Sequence, residues 1–222
     1  MQIVLTSEIL LAAYAQGIFP MADSADSQDV HWYCPENRGQ LSITEMHIPR
    51  RLRKTVRQMK ISGEPYEIRI NHDFRAVINA CAQETNTRSE TWINDKIIDA
   101  YCQLHIKGYA HSVECWQEGG LVGGLYGISI GAAFFGESMF SVSRDTSKVC
   151  LVHLVARLNT MGYKVLDTQF TNDHLQQFGV YEIPHQEYIT QLEPILSMPC
   201  VFDSKVEDER DMVRAYLTGN KG

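Results

Sequence analysis

The sequence predicts an α+β protein in which helices flank a mostly antiparallel sheet. Three observations support this class. Residues 121–140 form a strand-rich stretch with turn residues at its start and middle, which is typical of an antiparallel meander. Segments with helical spacing of apolar residues precede and follow that stretch. Hydrophobic residues make up 44% and charged residues 21% of the 222, which is ordinary for a soluble globular protein and excludes global disorder.

In the first half of the chain the pattern favours helices. The first helix begins at Thr6, whose side chain suits an N-cap, and ends at Gly17, after which Phe19-Pro20 stops it. The polar stretch 22–30 is typical of a loop. The other predicted elements are a short strand over 31–35, helices over 50–59 and 74–81, a strand over 66–70, and a helix from Asn94 to Gly108.

The second half is predicted to be a meander followed by alternating helices and strands. After a strand around 113–116 and the meander come a helix from Ser147 to Gly162, a strand over 164–170, a short helix over 172–178, a strand over 180–183, and a helix that ends at Pro194. We expect a small N-terminal domain over 1–44, a larger domain over 45–202, and a peripheral charged tail over 203–222. The first boundary lies where the basic segment begins.

Length and composition restrict the cellular setting. No apolar run approaches the roughly 18–20 residues that span a bilayer. The first residues contain no basic segment and meet an acid at Glu8, so we expect no secretory signal. The six cysteines form no CxxC pair, which indicates reduced thiols and a cytoplasmic protein.

The charge is unevenly distributed. The chain carries −7 overall, yet six cations and no acid lie between Arg50 and Lys60, so the remainder carries −13. On a helix, Arg50, Arg53, Lys54 and Arg57 share one face, with apolar residues opposite. This pattern fits both a solvated helix face and a nucleic-acid contact. When the charge pattern is the only evidence, the solvated face is the favoured interpretation.

Two further patterns have alternative interpretations. Cys102, His105, His111 and Cys115 have a zinc-like spacing, but one pair lies on a predicted helix and the other on a strand. We therefore favour ordinary partly buried residues, and we expect no metal and no cofactor. The glycine cluster over 119–136 lacks both phosphate-loop motifs and indicates close strand packing or backbone near a ligand.

Polar residues interrupt two apolar strands. Glu137 lies within an apolar stretch, and Asp167 and Gln169 share one strand face by alternation. A buried carboxylate is costly unless it is paired or faces a cleft. The residues alone leave two interpretations open, a buried structural network and a catalytic cleft.

Several stretches resemble the bacterial leucyl/phenylalanyl-tRNA–protein transferases. The resemblance runs in order from about Ile9 to Leu192, and its most specific motif is Gly136-Glu137-Ser138-Met139-Phe140-Ser141. It departs from the family at Cys150, where a small residue is usual, and at Met21, where some members have tryptophan. The other matching stretches are 14–21, 91–94, 104–105, 110–116, 121–127, 134–135, 147–148 and 166–169.

The resemblance implies a small N-terminal domain joined to a larger N-acetyltransferase-like domain. It also implies transfer of leucine or phenylalanine from charged tRNA to a protein that begins with Arg or Lys, which marks that protein for degradation. The donors would be leucyl- and phenylalanyl-tRNA, with methionyl-tRNA a further candidate. We expect no membrane partner, and a monomer.

Under this resemblance the polar residues become site residues, and we expect Asp167 to polarise the Gln169 amide. The expected catalytic residues are Asp167, Gln169 and Glu137; the aminoacyl pocket is Leu125, Phe134, Met139 and Ser138; the tRNA contacts are Trp92, Arg50, Arg53, Lys54 and Arg57; and Asn172 is a candidate for positioning the acceptor.

Two other function classes compete with this interpretation. An acetyl-CoA-dependent acetyltransferase would need a glycine-containing pyrophosphate loop before a helix, and residues 144–148 contain no glycine. A non-catalytic RNA-binding module would need only the basic helix, and it would leave Asp167 and Gln169 unexplained.

Overall fold

The computed structural model describes residues 5–83, 91–202 and 208–220. The strands in chain order are β1 (Phe19–Ala22), β2 (Val30–Tyr33), β3 (Asn37–Gln40), β4 (Lys60–Ile61), β5 (Glu64–Pro65), β6 (Glu67–Ile70), β7 (Ala110–Gln117), β8 (Gly120–Ile130), β9 (Ala133–Ser141), β10 (Val165–Gln169) and β11 (Tyr181–Pro184). The helices are α1 (Ser7–Tyr14), α2 (Arg50–Gln58), α3 (Phe74–Ala82), α4 (Asp95–Ile106), α5 (Thr146–Met161), α6 (Asp173–Gln176), α7 (His185–Leu196) and α8 (Glu209–Gly219).

A seven-stranded sheet organises these elements. Its order is β11-β3-β10-β9-β8-β7-β6, and every neighbouring pair is antiparallel except β9–β10. The predicted meander is confirmed as β7–β8–β9, joined by tight turns at 118–119 and 131–132. The predicted α+β class with a mostly antiparallel sheet is therefore confirmed.

Helices cover both faces of this sheet. One apolar cluster joins α5, α2 and α8 to the sheet, and it includes Val56, Val152 and Val213. The second cluster joins α1, α3, α4 and α7 to the opposite face, through residues such as Tyr14 and Leu104. Helix α5 approaches β8 closely at Gly123, where an added Cβ would lie 2.3 Å from the Thr146 hydroxyl. Close packing therefore explains at least this member of the glycine cluster.

Strands β9 and β10 separate partway along their length. They pair from Val165↔Ala133 to Asp167↔Phe135, and no further ladder pair joins them in the described chain. Beyond that point β9 continues to Ser141, while β10 turns into the Asn172 cap of α6. Since they are parallel neighbours, their separation opens a space at one edge of the paired region.

The described part of the N-terminal segment contributes strands to two sheets. β1 and β2 form a two-stranded hairpin. β2 corresponds to the strand predicted over 31–35, whereas the pattern at Phe19-Pro20 indicated only a helix stop and not β1. β3 lies inside the large sheet between β10 and β11. Residues 5–44 therefore contribute both a small hairpin and one interior strand of the large sheet.

The described part of the C-terminal tail packs against the rest of the chain. Helix α8 packs against α5 and α2, and it buries Met212, Val213, Tyr216 and Leu217. Apolar residues at helical spacing were the available signal, and the surrounding charged residues concealed it. Residues 203–207 and 221–222 of the expected tail lie outside the described residues.

No helix in the described part of the chain is long and apolar enough to cross a membrane.

Candidate active site

The separation of β9 and β10 produces a cleft of about 830 Å³. Its walls come from β9 over 136–141, the end of β10 and the start of α6, and from α5. Met21 and Trp92 close it on the side of the N-terminal hairpin. The cleft therefore lies where the N-terminal segment meets the large sheet.

Glu137 lies on the cleft wall at a β-bulge. Tyr126 pairs with Ser138 and Gly127 with Gly136, so Glu137 is the extra residue of β9. Its carboxylate accepts three hydrogen bonds: from the Tyr14 hydroxyl at 2.8 Å and the Gln169 amide at 2.8 Å on Oε1, and from the Tyr101 hydroxyl at 3.2 Å on Oε2. The bulge thus turns a carboxylate towards both the core and the cleft.

The surroundings of Glu137 favour its neutral form. Burial raises its pKa from 4.5 to about 8, although the hydrogen bonds from Tyr14 and Tyr101 oppose the rise. Burial also raises the pKa of both tyrosines well above the usual value, so their hydroxyls remain protonated donors. Near neutral pH this carboxyl group can exchange a proton with a bound amine.

Gln169 connects Glu137 to a second carboxylate. Its backbone is left-handed, with φ of 63°, and its backbone N–H donates to Asp167 Oδ1 at 2.6 Å. Its side-chain nitrogen donates to Glu137, which leaves the amide oxygen as the atom that can face a substrate. Asp167 is fully buried and does not line the cleft. The structure thus brings the three expected catalytic residues into one hydrogen-bond network. In this network Asp167 contacts Gln169 but is not itself exposed to the cleft.

Asp167 accepts hydrogen bonds from two residues, Arg38 and Tyr188, that the sequence pattern did not indicate. The Arg38 guanidinium contacts both carboxylate oxygens, and the Tyr188 hydroxyl donates to Oδ2. Arg38 and Tyr14 lie 129 and 123 residues from their carboxylate partners. Local pattern carries no information about such distant pairs. The available signal was that Arg38 is the one charged residue of the four-residue segment that forms β3.

Apolar residues form the inner wall of the cleft. Leu125 is 3% exposed and Met139 is partly exposed, and both line it, as does Ser138. Phe134, which was expected in the aminoacyl pocket, lies behind this wall. It is fully buried, packs on Phe202 at 5.4 Å between ring centroids, and does not line the cleft. The further apolar wall comes from Leu151, Leu154, Leu166 and Leu175.

The outer rim of the cleft carries polar and aromatic groups. Trp92 and Asn172 both line it, and the Asn172 side chain also caps α6 by accepting from Leu175 N at 2.9 Å. The next residue, Asp173, is exposed on the same wall. Its carboxylate has no hydrogen-bond or ion-pair partner among the described residues, so it is available to a ligand.

The basic helix α2 lies beside the start of α5. Arg50, Lys54 and Arg57 are exposed, as expected. Arg53 differs, because its guanidinium donates to the carbonyls of Leu217 at 2.7 Å and Asn220 at 3.1 Å at the end of α8. Part of the predicted cationic face is therefore used to hold α8.

The zinc-like spacing does not bring its four residues together. The Nδ1 atom of His105 lies 2.8 Å from the Ala110 carbonyl oxygen, and the Nδ1 atom of His111 lies 3.1 Å from the Asn71 amide nitrogen. Among the described residues there is no group of three or more metal-ligating side chains placed to hold an ion.

A carboxyl group of raised pKa, an adjacent amide and an apolar wall are suited to joining an amine to an acyl group with an apolar side chain. The chemistry of the cleft therefore suits an acyltransferase. Comparison with known proteins gives the family. The model described as leucyl/phenylalanyl-tRNA protein transferase matches residues 40–193, and the model of that family's N-terminal domain matches residues 4–36. The chain belongs to the leucyl/phenylalanyl-tRNA protein transferase family and is an aminoacyltransferase.

Curated relatives agree with this assignment. The leucyl/phenylalanyl-tRNA--protein transferase of Maricaulis maris (strain MCS10) is 52% identical over 203 residues, which cover 91% of each chain. That of Paramagnetospirillum magneticum (strain ATCC 700264 / AMB-1) is 50% identical over 199 residues, covering 90% of this chain and 93% of the relative.

A solved structure of a ribosomal-protein-alanine N-acetyltransferase from Brucella melitensis biovar Abortus 2308 aligns with 64% of this chain and 98% of its own. The identity is 13% and the TM-score 0.35, and the family assignment does not depend on it.

Proposed function

We propose that this aminoacyltransferase moves leucine or phenylalanine from aminoacyl-tRNA to the N-terminal Arg or Lys of an acceptor protein, forming a peptide bond that marks the acceptor for degradation. The observation that carries the proposal is the meeting of Glu137, Gln169 and an apolar wall in one cleft. All six cysteines are free thiols, which supports the expected cytoplasmic setting. The proposed oligomeric state is a monomer.

Glu137 prepares the attacking amine. A protein α-amine has a pKa of about 8 and arrives mostly as ammonium at neutral pH. Because burial raises the pKa of Glu137 to about 8, the pKa values of the two groups are matched, and the ionised fraction of Glu137 can take one ammonium proton at little cost. The neutral amine then attacks the ester carbonyl carbon of the donor.

Gln169 holds that amine in place. Its amide oxygen accepts a hydrogen bond from the attacking nitrogen, while its amide nitrogen stays on Glu137. The new C–N bond forms as the C–O bond to the ribose breaks, and the second amine proton leaves with the ribose oxygen. Asp167 contacts the backbone N–H of Gln169 and not its side-chain amide. It therefore acts by fixing the Gln169 backbone, in place of the expected direct polarisation of the amide.

The donor side chain occupies the apolar wall. Leu125 and Met139 would contact it, with Ser138 at the edge. Apolar pockets distinguish side chains by only about 1–3 kcal/mol per methylene, so leucine, phenylalanine and methionine should all enter. Exclusion of isoleucine and valine would come from a clash at their branched β-carbon.

The acceptor's cationic side chain is assigned to Asp173. The carboxylates on the described cleft wall are Glu137 and Asp173. Glu137 is already engaged by three donors, whereas Asp173 is exposed and without a partner in the described chain. Asn172, next to it, would position the acceptor backbone.

The tRNA is assigned to the rim and the basic helix. Trp92 offers a stacking surface for the terminal base, which is worth about 1–3 kcal/mol. Arg50, Lys54 and Arg57 would meet acceptor-stem phosphates without reading sequence, while Arg53 contributes by fixing α2 against α8.

One assay tests the whole proposal. The protein is incubated with leucyl-tRNA or acetyl-CoA, together with a peptide that begins with Arg or the same peptide beginning with Ala. We expect leucine transfer to the Arg peptide only, and Asp173→Asn should narrow the difference between the two peptides. Acetyl transfer would establish the acetyltransferase alternative. Binding of tRNA without any transfer would establish the RNA-binding module.

A further inference from the structure

Arg38 is a fully buried cation on β3, which lies between β10 and β11 in the large sheet. Its Nε lies 3.0 and 2.9 Å from the two oxygens of Asp167, and its Nη1 donates to the Gly17 carbonyl at 2.8 Å. The rings of Phe19 and Tyr188 lie 4.8 and 4.9 Å from the guanidinium carbon. A buried ion pair contributes little net stability compared with apolar packing, so its presence beside the cleft suggests another role.

The carboxylate that Arg38 holds also fixes the backbone of Gln169. Asp167 Oδ1 accepts the Gln169 N–H at 2.6 Å, and this residue has a left-handed backbone that a non-glycine residue adopts only at a cost. From this backbone its side chain reaches Glu137 at 2.8 Å. Arg38 does not line the cleft, so any effect it has on the cleft passes through Asp167.

The residue after Arg38 provides the space for this arrangement. β10 carries an extra residue between Asp167↔Gln40 and Gln169↔Gly39. A Cβ at Gly39 would lie 2.8 Å from the Thr168 hydroxyl and 2.9 Å from the Phe170 carbonyl carbon. One strand therefore supplies both the cation that holds Asp167 and the gap that admits the bulge.

We infer that Arg38 is a positioning residue for aminoacyl transfer, which acts through Asp167 to keep the Gln169 amide directed at Glu137 and at the attacking amine. The inference rests on the proposed role of Gln169. It adds a requirement in the N-terminal segment, which through the Gly17 carbonyl links the arrangement of the hairpin to the geometry of the reaction.

The test compares two buried arginines. Arg38→Lys keeps the charge but loses the planar fork, and it should lower kcat by about 100-fold, the loss that a misplacement near 1 Å can cause, with KM for leucyl-tRNA nearly unchanged. Arg157→Lys is the matched control. Arg157 is 1% exposed, pairs with Glu209 of α8 and does not line the cleft, so this variant should lower the melting temperature without lowering kcat.

A second background separates positioning from simple destabilisation. With Gln169→Ala already present, Arg38→Lys should cause no further loss of kcat, although its effect on the melting temperature should persist. Multiplying losses, or an unchanged kcat in Arg38→Lys alone, would overturn the inference while leaving the proposed function intact. Full activity in Gln169→Ala would instead remove both.

If Arg38→Lys does not fold, Tyr188→Phe provides the same test. It deletes the hydroxyl that donates to Asp167 Oδ2 and leaves the ion pair in place. A smaller loss of kcat that disappears in the Gln169→Ala background supports the inference, and a loss that remains there contradicts it.

Discussion

Glu137 shows how a single residue acquires a chemical role from its surroundings. Its sequence context, an acid within an apolar strand, predicted either a network or a cleft, and the structure shows that it belongs to both. What could not be predicted is the set of donors, because Tyr14 and Tyr101 reach it from helices 123 and 36 residues away. Tyrosines on helix faces are ordinarily core residues, and nothing local distinguishes these two.

The pH dependence of transfer should report the proton exchange at Glu137. If its carboxylate takes a proton from the acceptor ammonium, kcat/KM for an Arg-initiated peptide should be bell-shaped and peak near pH 8, because both pKa values lie close to 8. In Glu137→Gln the descending limb should vanish, leaving a lower rate that rises to a plateau as the peptide amine deprotonates. Identical profiles for the two proteins would exclude Glu137 from the proton path.

Met139 should contact the aminoacyl side chain of the donor and influence which amino acid is transferred. Met139→Ala enlarges the cleft wall and should shift the ratio of phenylalanine to leucine transfer towards phenylalanine by about 10-fold, within the range expected for an apolar pocket. Phe134→Leu is the control, since Phe134 lies in the core and should affect the melting temperature alone. A ratio that changes with Phe134→Leu and not with Met139→Ala would reverse this assignment.

At the scale of an element, the cations of helix α2 divide into one that contacts α8 and others that are exposed to solvent. Its helical pattern and cationic content were correctly predicted, but the partner of Arg53 was not, because Leu217 lies 164 residues further along the chain. A helix C-terminus exposes carbonyls, and a guanidinium satisfies them. Arg53 therefore stabilises the docking of α8, and the exposed cations Arg50, Lys54 and Arg57 are the ones proposed to contact tRNA.

The exposed cations of α2 should govern tRNA affinity. Replacing Lys54 and Arg57 together by alanine should weaken leucyl-tRNA binding and reduce the slope of log affinity against log salt by about 0.7–0.9 for each phosphate that is no longer neutralised. Transfer from a minimal aminoacyl-adenosine donor should hardly change. Replacing Lys107 and Lys164 together by alanine removes the same charge elsewhere and should leave the slope intact. If the salt slope is the same for both variants, the tRNA binds to a surface other than α2.

Arg53 should instead govern the docking of α8. Arg53→Ala removes charged hydrogen bonds to two carbonyls and should lower the free energy of unfolding by about 1.5–3 kcal/mol in urea. The neighbouring Arg50→Ala, on the exposed side of the same helix, should be within about 0.5 kcal/mol of wild type. Equal stability of the two variants would show that the bonds to α8 contribute nothing.

For the molecule as a whole, periodicity was sufficient for most elements and insufficient for their assembly. α3, α4, α5 and the β7–β9 meander follow from strong helical or alternating patterns, and Asn94 caps α4 as expected. β3 was missed because its four residues, with Arg38 and Gly39 among them, have no strand-like composition. Its place in the sheet is set by pairing with β10 and β11, which are distant in sequence.

The raised pKa of Glu137 should also affect overall stability. A carboxyl group whose pKa is higher when folded contributes stability that is complete below about 4.5 and is lost as pH rises through about 8. Relative to Glu137→Gln, the wild-type protein should therefore lose stability between pH 5 and pH 8, as followed by melting temperature. A constant difference between the two proteins across this range would mean that the carboxyl group titrates normally.

The parting of β9 and β10 has a consequence for engineering. The cleft forms because β9 and β10 stop pairing after Asp167↔Phe135, so its existence depends on the backbone more than on the size of the side chains around it. Lining residues that are only partly buried, such as Ser138 and Met139, can therefore be exchanged at little cost to packing, whereas Leu125, Leu151 and Leu154 also belong to the apolar core. This makes the chain a suitable starting point for libraries at positions 138 and 139, selected for attaching non-natural apolar amino acids to protein N-termini.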